Sequence, residues 1–283
     1  MMNGFYLQAL LKIAGISAAS GIAYSEGLIR LVSDNSNYLY EYRVAGEQLA
    51  RHLLKDGQQT EQVAKAQKMD LEALVDRGDA LYMFGSGSTP IRERGFVLSK
   101  GDGLVDTLHL NKLYDAMRTT AGIGADDFNI EGAAVHGDDW LFLNRGNGPG
   151  GRNVLFTVQG ASLTNDFRLS FTAFDLPTIK GLPVGFSDAT VVDDTLYFIA
   201  TAEAGNSTYH DGQVGGTLFG TIDLESRTIG STEVISRSQK FEGITLYQTE
   251  TGRMSFLLCE DDDGATDIAT IYRLDVAIAA IGT

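Results

Sequence analysis

Asn129-Ile130-Glu131-Gly132-Ala133-Ala134-Val135-His136-Gly137-Asp138-Asp139-Trp140-Leu141-Phe142-Leu143-Asn144-Arg145 is the stretch that decides the fold. An apolar run opens on an acid, breaks at a polar turn, and resumes as a second apolar run that ends in an arginine. Two short aliphatic and aromatic runs around a tight turn read as a β-hairpin. Four more copies follow the same plan. They open at Ser20-Gly21-Ile22-Ala23, Leu71-Glu72-Ala73-Leu74, Ser187-Asp188-Ala189-Thr190 and Phe241-Glu242-Gly243-Ile244. The second apolar runs are residues 28–32, 81–84, 140–143, 196–200 and 255–259. Third strands are expected at 38–42, 95–99, 153–159, 218–223 and 268–274.

The second residue of each opening falls at 21, 72, 131, 188 and 242, in steps of 51, 59, 57 and 54. Such a period suits one four-stranded propeller blade with its loops. From Glu242 only 42 residues remain, and 20 precede Gly21; their total of 62 is close to one period. A strand near residues 5–13 is therefore expected to complete the last blade and remove the exposed sheet edges. The reading is an all-β, five-bladed β-propeller, one domain over residues 1–283. Six blades are the alternative if residues 105–127 hide a degenerate unit, although 111–118 reads as a short helical insertion. A β-sandwich would not need so regular a period.

Composition agrees with many short strands and tight turns, with 33 Gly, 4 Pro and 43% apolar residues. The 22 basic and 37 acidic residues give a net charge of −15, which disfavours nucleic acid and anionic membrane as partners and favours cations. Cys259 is the one cysteine, so no internal disulfide forms, and its apolar run reads as core. Residues 5–16 are fairly apolar, but no basic residue precedes them and Lys12 interrupts them; they read as a strand and not as a signal peptide. A cytoplasmic location is expected, or a periplasmic one if a signal peptide has been removed.

In a propeller the inner strands line the channel, and their starts share one mouth with the ends of the second strands. Glu72, Glu131, Asp188 and Glu242 should therefore meet there, with Gly21 in the first blade. The second-strand ends bring Asp34 with Asn35, the run Gly85-Ser86-Gly87-Ser88 with Arg92, Asn144-Arg145-Gly146-Asn147, Glu203, and Glu260-Asp261-Asp262-Asp263. Gathered carboxylates need a counter-charge. Arg92 and Arg145 can pair with them, or a hard cation such as Ca²⁺ can sit among their oxygens. An ion-pair network that knits the blades, with buried acids accepting backbone N–H groups, remains the structural reading.

Other patterns are weaker. Gly85-Ser86-Gly87-Ser88 lacks the Lys-Ser/Thr ending of a P-loop and the last Gly of a nucleophile elbow, though its amides beside Arg92 suit an anion. Asp261-Asp262-Asp263-Gly264 lacks EF-hand spacing and reads as an acidic turn. His52, His109, His136 and His210 form no zinc spacing, with His136 and His210 in solvated loops. Lys68 is close enough in sequence to reach the mouth, and Trp140 reads as core.

Four motifs carry a resemblance: residues 68–74 (Lys-Met-Asp-Leu-Glu-Ala-Leu), Gly85 to Ser88 with Arg92, Asn129 to Gly132, and Arg145 to Asn147. The chain resembles, over nearly its whole length, a bacterial propeller family classed as a domain of unknown function. More remotely it looks like the esterase-like phytase propellers and related calcium-containing propellers. Those relatives repeat Glu-Gly at blade starts and place a cation or active site near the channel. This chain departs from them in its few basic residues and in Gly21 where an acid would stand.

These readings converge on a polar site at the channel mouth. Glu72, Glu131, Asp188 and Glu242 would be cation ligands, with Ca²⁺ the cofactor. Glu131, Arg145 and Arg92 would act on a small-molecule or anionic ligand held by Ser86, Ser88, Asn147 and Lys68. Metal-assisted hydrolysis of an ester or phosphoester is the reaction class expected. The alternative is a non-catalytic propeller that binds a ligand or protein, with structural ion pairs in its channel.

Overall fold

The structure is a computed structural model that describes residues 4–55, 59–148, 150–204, 212–262 and 266–277. Twenty strands form five four-stranded antiparallel sheets, one per blade. The N-terminal strand β1 (Phe5–Ala14) is the outer strand of the last blade. The first blade is β2 (Ala19–Ser25), β3 (Leu28–Ser33), β4 (Tyr38–Arg43) and β5 (Gln48–Leu53). The second is β6 (Leu71–Arg77), β7 (Ala80–Gly85), β8 (Arg94–Ser99) and β9 (Val105–His109). After helix α1 (Asn111–Ala121) come β10 (Ile130–His136), β11 (Asp139–Asn144), β12 (Asn153–Gln159) and β13 (Arg168–Phe174). The fourth blade is β14 (Val184–Val192), β15 (Thr195–Glu203), β16 (Val214–Asp223) and β17 (Thr228–Ser236). The fifth is β18 (Phe241–Glu250), β19 (Arg253–Glu260), β20 (Ile268–Ala277) and β1.

The expected closure is present: β1 pairs antiparallel with β20, Phe5 opposite Val276 and Ala14 opposite Ile268. Residues 105–127 are not a sixth blade. They hold β9, α1 and a 3₁₀ turn, Ala125–Asp127. The helix runs three residues past the expected 118 and stops at Gly122, whose φ of 64° only glycine adopts freely. Its buried face, Leu113, Tyr114 and Met117, packs between the second and third blades.

The inner strands β2, β6, β10, β14 and β18 contact one another in sequence around the channel. They approach closely. A Cβ on Gly132 would lie 2.7 Å from Asp188 Cα, and one on Gly243 would lie 2.9 Å from the Ile22 nitrogen. Between adjacent blades lie five apolar clusters, one at each interface. Burying an aromatic or aliphatic side chain in them contributes about 2 kcal/mol each. Trp140 lies in one cluster, edge-on to Tyr82 at 4.8 Å with Arg77 over its ring at 4.9 Å. Cys259 is fully buried in another.

One irregularity repeats in all five blades. The ladder between first and second strands carries a β-bulge near its start, and the extra residue is Ser20, Glu72, Glu131, Ser187 or Glu242. A bulge re-aims a side chain that would otherwise follow the pleat. Gly21 and Asp188, matched to these glutamates by sequence, lie one residue further on. Their counterparts are Ala73, Gly132 and Gly243, the positions where inner strands touch.

Toward the far end the channel widens into a cavity of about 660 Å³, with Arg30, Asp76 and Lys100 among its lining residues.

Candidate functional site

The near mouth is built from three positions per blade. One is the bulge residue. Another precedes it by two: Ala18, Asp70, Asn129, Gly185 and Lys240 in blade order, with the first and fourth matched through their backbone pairing. The last is the residue opposite that one at the end of the second strand: Asp34, Ser86, Arg145, Thr201 and Asp261. Backbone bonds join the latter two sets, from Asp34 N–H to Ala18 O (3.3 Å), Ser86 to Asp70 (2.9 Å), Arg145 to Asn129 (2.8 Å) and Asp261 to Lys240 (3.0 Å). In the fourth blade Gly185 pairs with Thr201.

Arg145 is the centre of one half of the mouth. Its Nη2 donates to Glu203 Oε2 at 2.6 Å, and Nη1 lies 3.2 Å from Glu131 Oε2 and 3.3 Å from Glu242 Oε1. Arg145 thus ties the third, fourth and fifth blades together. Its stem crosses Gly185, where a Cβ would stand 2.5 Å from Arg145 Cγ, so that position must stay bare. Lys240 donates to Glu242 Oε1 and Asp261 Oδ2, each at 2.9 Å. Asn129 Nδ2 donates to Glu131 Oε1.

Burial raises Glu131 above the ordinary carboxylate range, against the opposing pull of Arg145 and Lys240. It raises Glu242 well above that range too. For Arg145 burial acts downward, but Glu131, Glu203 and Glu242 outweigh it and the guanidinium stays charged.

The other half is centred on Asp70. This residue has a left-handed backbone, φ 56°, a conformation that Asp tolerates better than most side chains. Asp70 Oδ2 accepts from Arg92 Nη1 at 2.6 Å and from Ser86 Oγ at 2.5 Å, while Oδ1 lies 2.8 Å from Lys68 Nζ. Lys68 also donates to Asp34 Oδ2. Arg92, 2% exposed, further bonds Ser88 Oγ (2.9 Å) and the Lys65 carbonyl (3.1 Å). The Gly-Ser-Gly-Ser loop is thereby filled: Ser86 is fully buried against Asp70, and Gly87 sits under Tyr114, where a Cβ would meet the ring at 2.5 Å.

Glu72 completes this half. One carboxylate oxygen each from Asp34, Asp70 and Glu72 lie within 4.8 Å of one another. Glu72 is 7% exposed and accepts no hydrogen bond from any described residue. Burial, then repulsion from Asp70, Glu131, Glu242 and Asp34, raises it well above the usual range. Asp34 rises to about 6, chiefly by burial and against the pull of Lys68. Asp34 Oδ1 is buried without a partner. For Lys68 burial acts downward, and Asp70, Asp34 and Glu72 reverse it.

Of the residues picked out by sequence, the structure brings Glu131, Arg145 and Glu242 into one cluster and Arg92, Ser86, Ser88, Lys68 and Glu72 into or beside the other. Asp188 stands apart. Its Oδ2 accepts the Ile244 N–H of the next blade at 2.9 Å, and burial raises its carboxyl well above the usual range. Asn147 is half-buried in the loop after β11 and hydrogen-bonds none of these side chains; its Oδ1 is buried without a partner. Asp263, Gly264 and His210 lie outside the described residues. His136 bonds Asp194 at 2.9 Å, away from the mouth. Sequence reasoning missed Asp70 and Lys240. The signal was a polar residue two places before the bulge glutamate, as in Asp70, Asn129 and Lys240.

The chain belongs to the family of unknown function DUF6929, whose model matches residues 15–276. None of the curated protein sequences matches it. Solved structures do. A luciferin-regenerating enzyme aligns with a TM-score of 0.53 at 8% identity, over 98% of this chain and 96% of that one. The glutaminyl cyclase of Myxococcus xanthus gives 0.54 at 12% identity, over 96% and 97%. The PQQ-bound aldose sugar dehydrogenase of Streptomyces coelicolor gives 0.51 at 9% identity, over 96% and 98%. At these identities the likeness is one of fold, and the three names describe three different chemistries, so fold alone selects none of them. Among the described residues no helix is long and apolar enough to cross a membrane.

Proposed function

We propose that the channel mouth is a hard-cation site held by Asp34, Asp70 and Glu72, and that it serves hydrolysis of an ester or phosphoester. The observation that carries this reading is the meeting of three carboxylate oxygens within 4.8 Å, one from a glutamate without a hydrogen bond. Oxygen donors of this kind suit Ca²⁺ or Mg²⁺, with water as the remaining ligands. The wider mouth favours a cation as well. Asp34, Asp70, Glu72, Glu131, Glu203, Glu242 and Asp261 outnumber Lys68, Arg92, Arg145 and Lys240.

This balance also orders events. Arg92 and Arg145 are already bonded to carboxylates, so an anionic ester meets a net negative mouth until a cation is bound. A cation bound there supplies Lewis acidity toward an ester or phosphoryl oxygen. Glu131, although raised, lies against Arg145 and is a group suited to proton transfer.

A second reading has its own support. Arg145 and Lys240 bond four carboxylates and join three blades, which suits a structural ion-pair network in a non-catalytic, ligand-binding propeller.

Chelator-treated protein, reloaded separately with Ca²⁺, Mg²⁺ or Mn²⁺, should be assayed against acetyl and phosphoryl esters of p-nitrophenol. Turnover that needs the cation and disappears in Glu72→Gln supports the hydrolase reading. Cation binding without turnover on any ester leaves the binding propeller as the account.

A further inference from the structure

Lys68 is the one cationic side chain among the described residues that bonds two of the three proposed ligands. Its ammonium donates to Asp34 Oδ2 and lies 2.8 Å from Asp70 Oδ1. It therefore stands where a bound cation would contact those same oxygens. Two further observations show that this occupancy is incomplete. Glu72, nine-tenths buried, faces Asp34 and Asp70 but receives no hydrogen bond from any described residue. Asp34 Oδ1 is likewise buried and unpaired. Of the six oxygens of the three carboxylates the ammonium bonds two, and Arg92 with Ser86 bonds a third.

We propose that Lys68 is a tethered competitor for the cation site, one that a divalent ion displaces from Asp34 and Asp70 when it binds. This rests on the cation reading of the mouth. The exchange replaces one positive charge by two among three acids, which is favourable as long as the ammonium has somewhere to go. The structure provides a route: the side chain of Asp34 is 23% exposed and that of Lys68 is 11% exposed, so the pair lies at the solvent edge of the site. The lysine stem is unbranched and flexible, which lets its head leave while the backbone stays. Its backbone is fixed independently, with the Lys68 N–H bonded to Ala64 O at 3.0 Å.

Two consequences follow. Without a cation, Lys68 holds Asp34 and Asp70 in place and keeps the acids from repelling one another. With a cation, apparent affinity is reduced by the fraction of molecules in which the lysine occupies the site. Lys68 thus sets the concentration at which the mouth fills, and only ions that coordinate all three carboxylates better than the ammonium coordinates two are admitted. Arg92 is not equivalent. It is buried behind Asp70 and bonds Ser88 and the Lys65 carbonyl as well, so it remains when the ion enters.

The test is calorimetric titration of Ca²⁺ and Mn²⁺ into wild type, Lys68→Met, and Lys68→Met combined with Glu72→Gln. Tighter binding to Lys68→Met, by about tenfold or more, with loss in the double variant, is the expected result. Equal or weaker binding by Lys68→Met, with binding retained in wild type, overturns the competitor role and leaves the site standing. No binding by either protein overturns the site and the competitor together. If Lys68→Met does not fold, wild-type crystals soaked in Mn²⁺ decide. An ion among the three carboxylates with the ammonium withdrawn supports the proposal, and an ion there with Lys68 still bonded to Asp34 and Asp70 overturns it.

Discussion

The two halves of the mouth use the same residue types to different ends. Around Arg145 and Lys240, Glu131, Glu203, Glu242 and Asp261 all receive a charged hydrogen bond, and the contacts cross three blades. Around Lys68 and Arg92, three acids share two cations, and Glu72 receives no bond from a described residue. A buried carboxylate with a charged partner is held in place, and removing that partner is costly. Around Arg145 and Lys240 every acid has one, although Glu203 Oε1 and Arg145 Nε are buried without a hydrogen bond. A carboxylate left over beside two others is a demand for a cation. The lesson is that acidic and basic residues at a propeller mouth must be read bond by bond, because composition does not separate the half that ties blades from the half that can bind.

The largest effect should come from Arg145→Ala. It leaves Glu131, Glu203 and Glu242 without their shared counter-charge and should cost about 3–5 kcal/mol, lowering the thermal midpoint by roughly 10 °C. If this variant unfolds no earlier than Lys68→Met, the contrast between the halves is wrong.

A smaller effect should come from pH. The folded-state values of Glu131, Glu242 and Asp188 are raised above those of the unfolded chain. Such groups bind more protons when folded. Their contribution to stability is complete below the unfolded values and is lost as pH rises through the folded ones. Thermal midpoints in low-salt buffer should therefore fall by several degrees between pH 5 and pH 8. A midpoint that climbs over that range would show the ion pairs to dominate burial.

Glu72→Gln sharpens the comparison from the other side. Removing a charge that lacks a hydrogen bond and is repelled by four carboxylates should raise the stability of cation-free protein by about 1 kcal/mol. Denaturant unfolding measures this directly. A loss of similar size would mean that the glutamate is bonded in solution. Least of all should Asp188→Asn matter. The amide oxygen can still accept the Ile244 N–H, so the change should stay below about 1 kcal/mol by the same measurement.

Much of the fold was legible because its signals are local. Polar turns between apolar runs, four with a glycine and one of Asp193-Asp194, marked five hairpins, and the residues left over at the two ends predicted the closing strand. What the pattern could not show was the bulge. An extra residue in one strand leaves the local sequence unchanged, so Gly21 and Asp188 looked equivalent to glutamates that they sit beside. The site was legible in its acids and in Arg145, whose link to Glu131 spans 14 residues. It was less so where partners come from distant strands, as in the Arg145–Glu242 pair 97 residues apart. Asp70 and Lys240 were missed for a different reason: each is a single polar residue before an apolar run, and its partners, Ser86 and Arg92 for one and Asp261 for the other, are brought to it by the folding of its own blade.

The most direct test of the cation site is thermal unfolding of chelator-treated protein titrated with Ca²⁺, Mg²⁺ and Mn²⁺, in parallel with Glu72→Gln. An ion that binds only the folded protein stabilises it by about 2.7 kcal/mol at a hundredfold excess over Kd. The account predicts an ion-selective rise in wild type that Glu72→Gln does not show. A midpoint that no ion moves, or one that rises equally in Glu72→Gln, would contradict it.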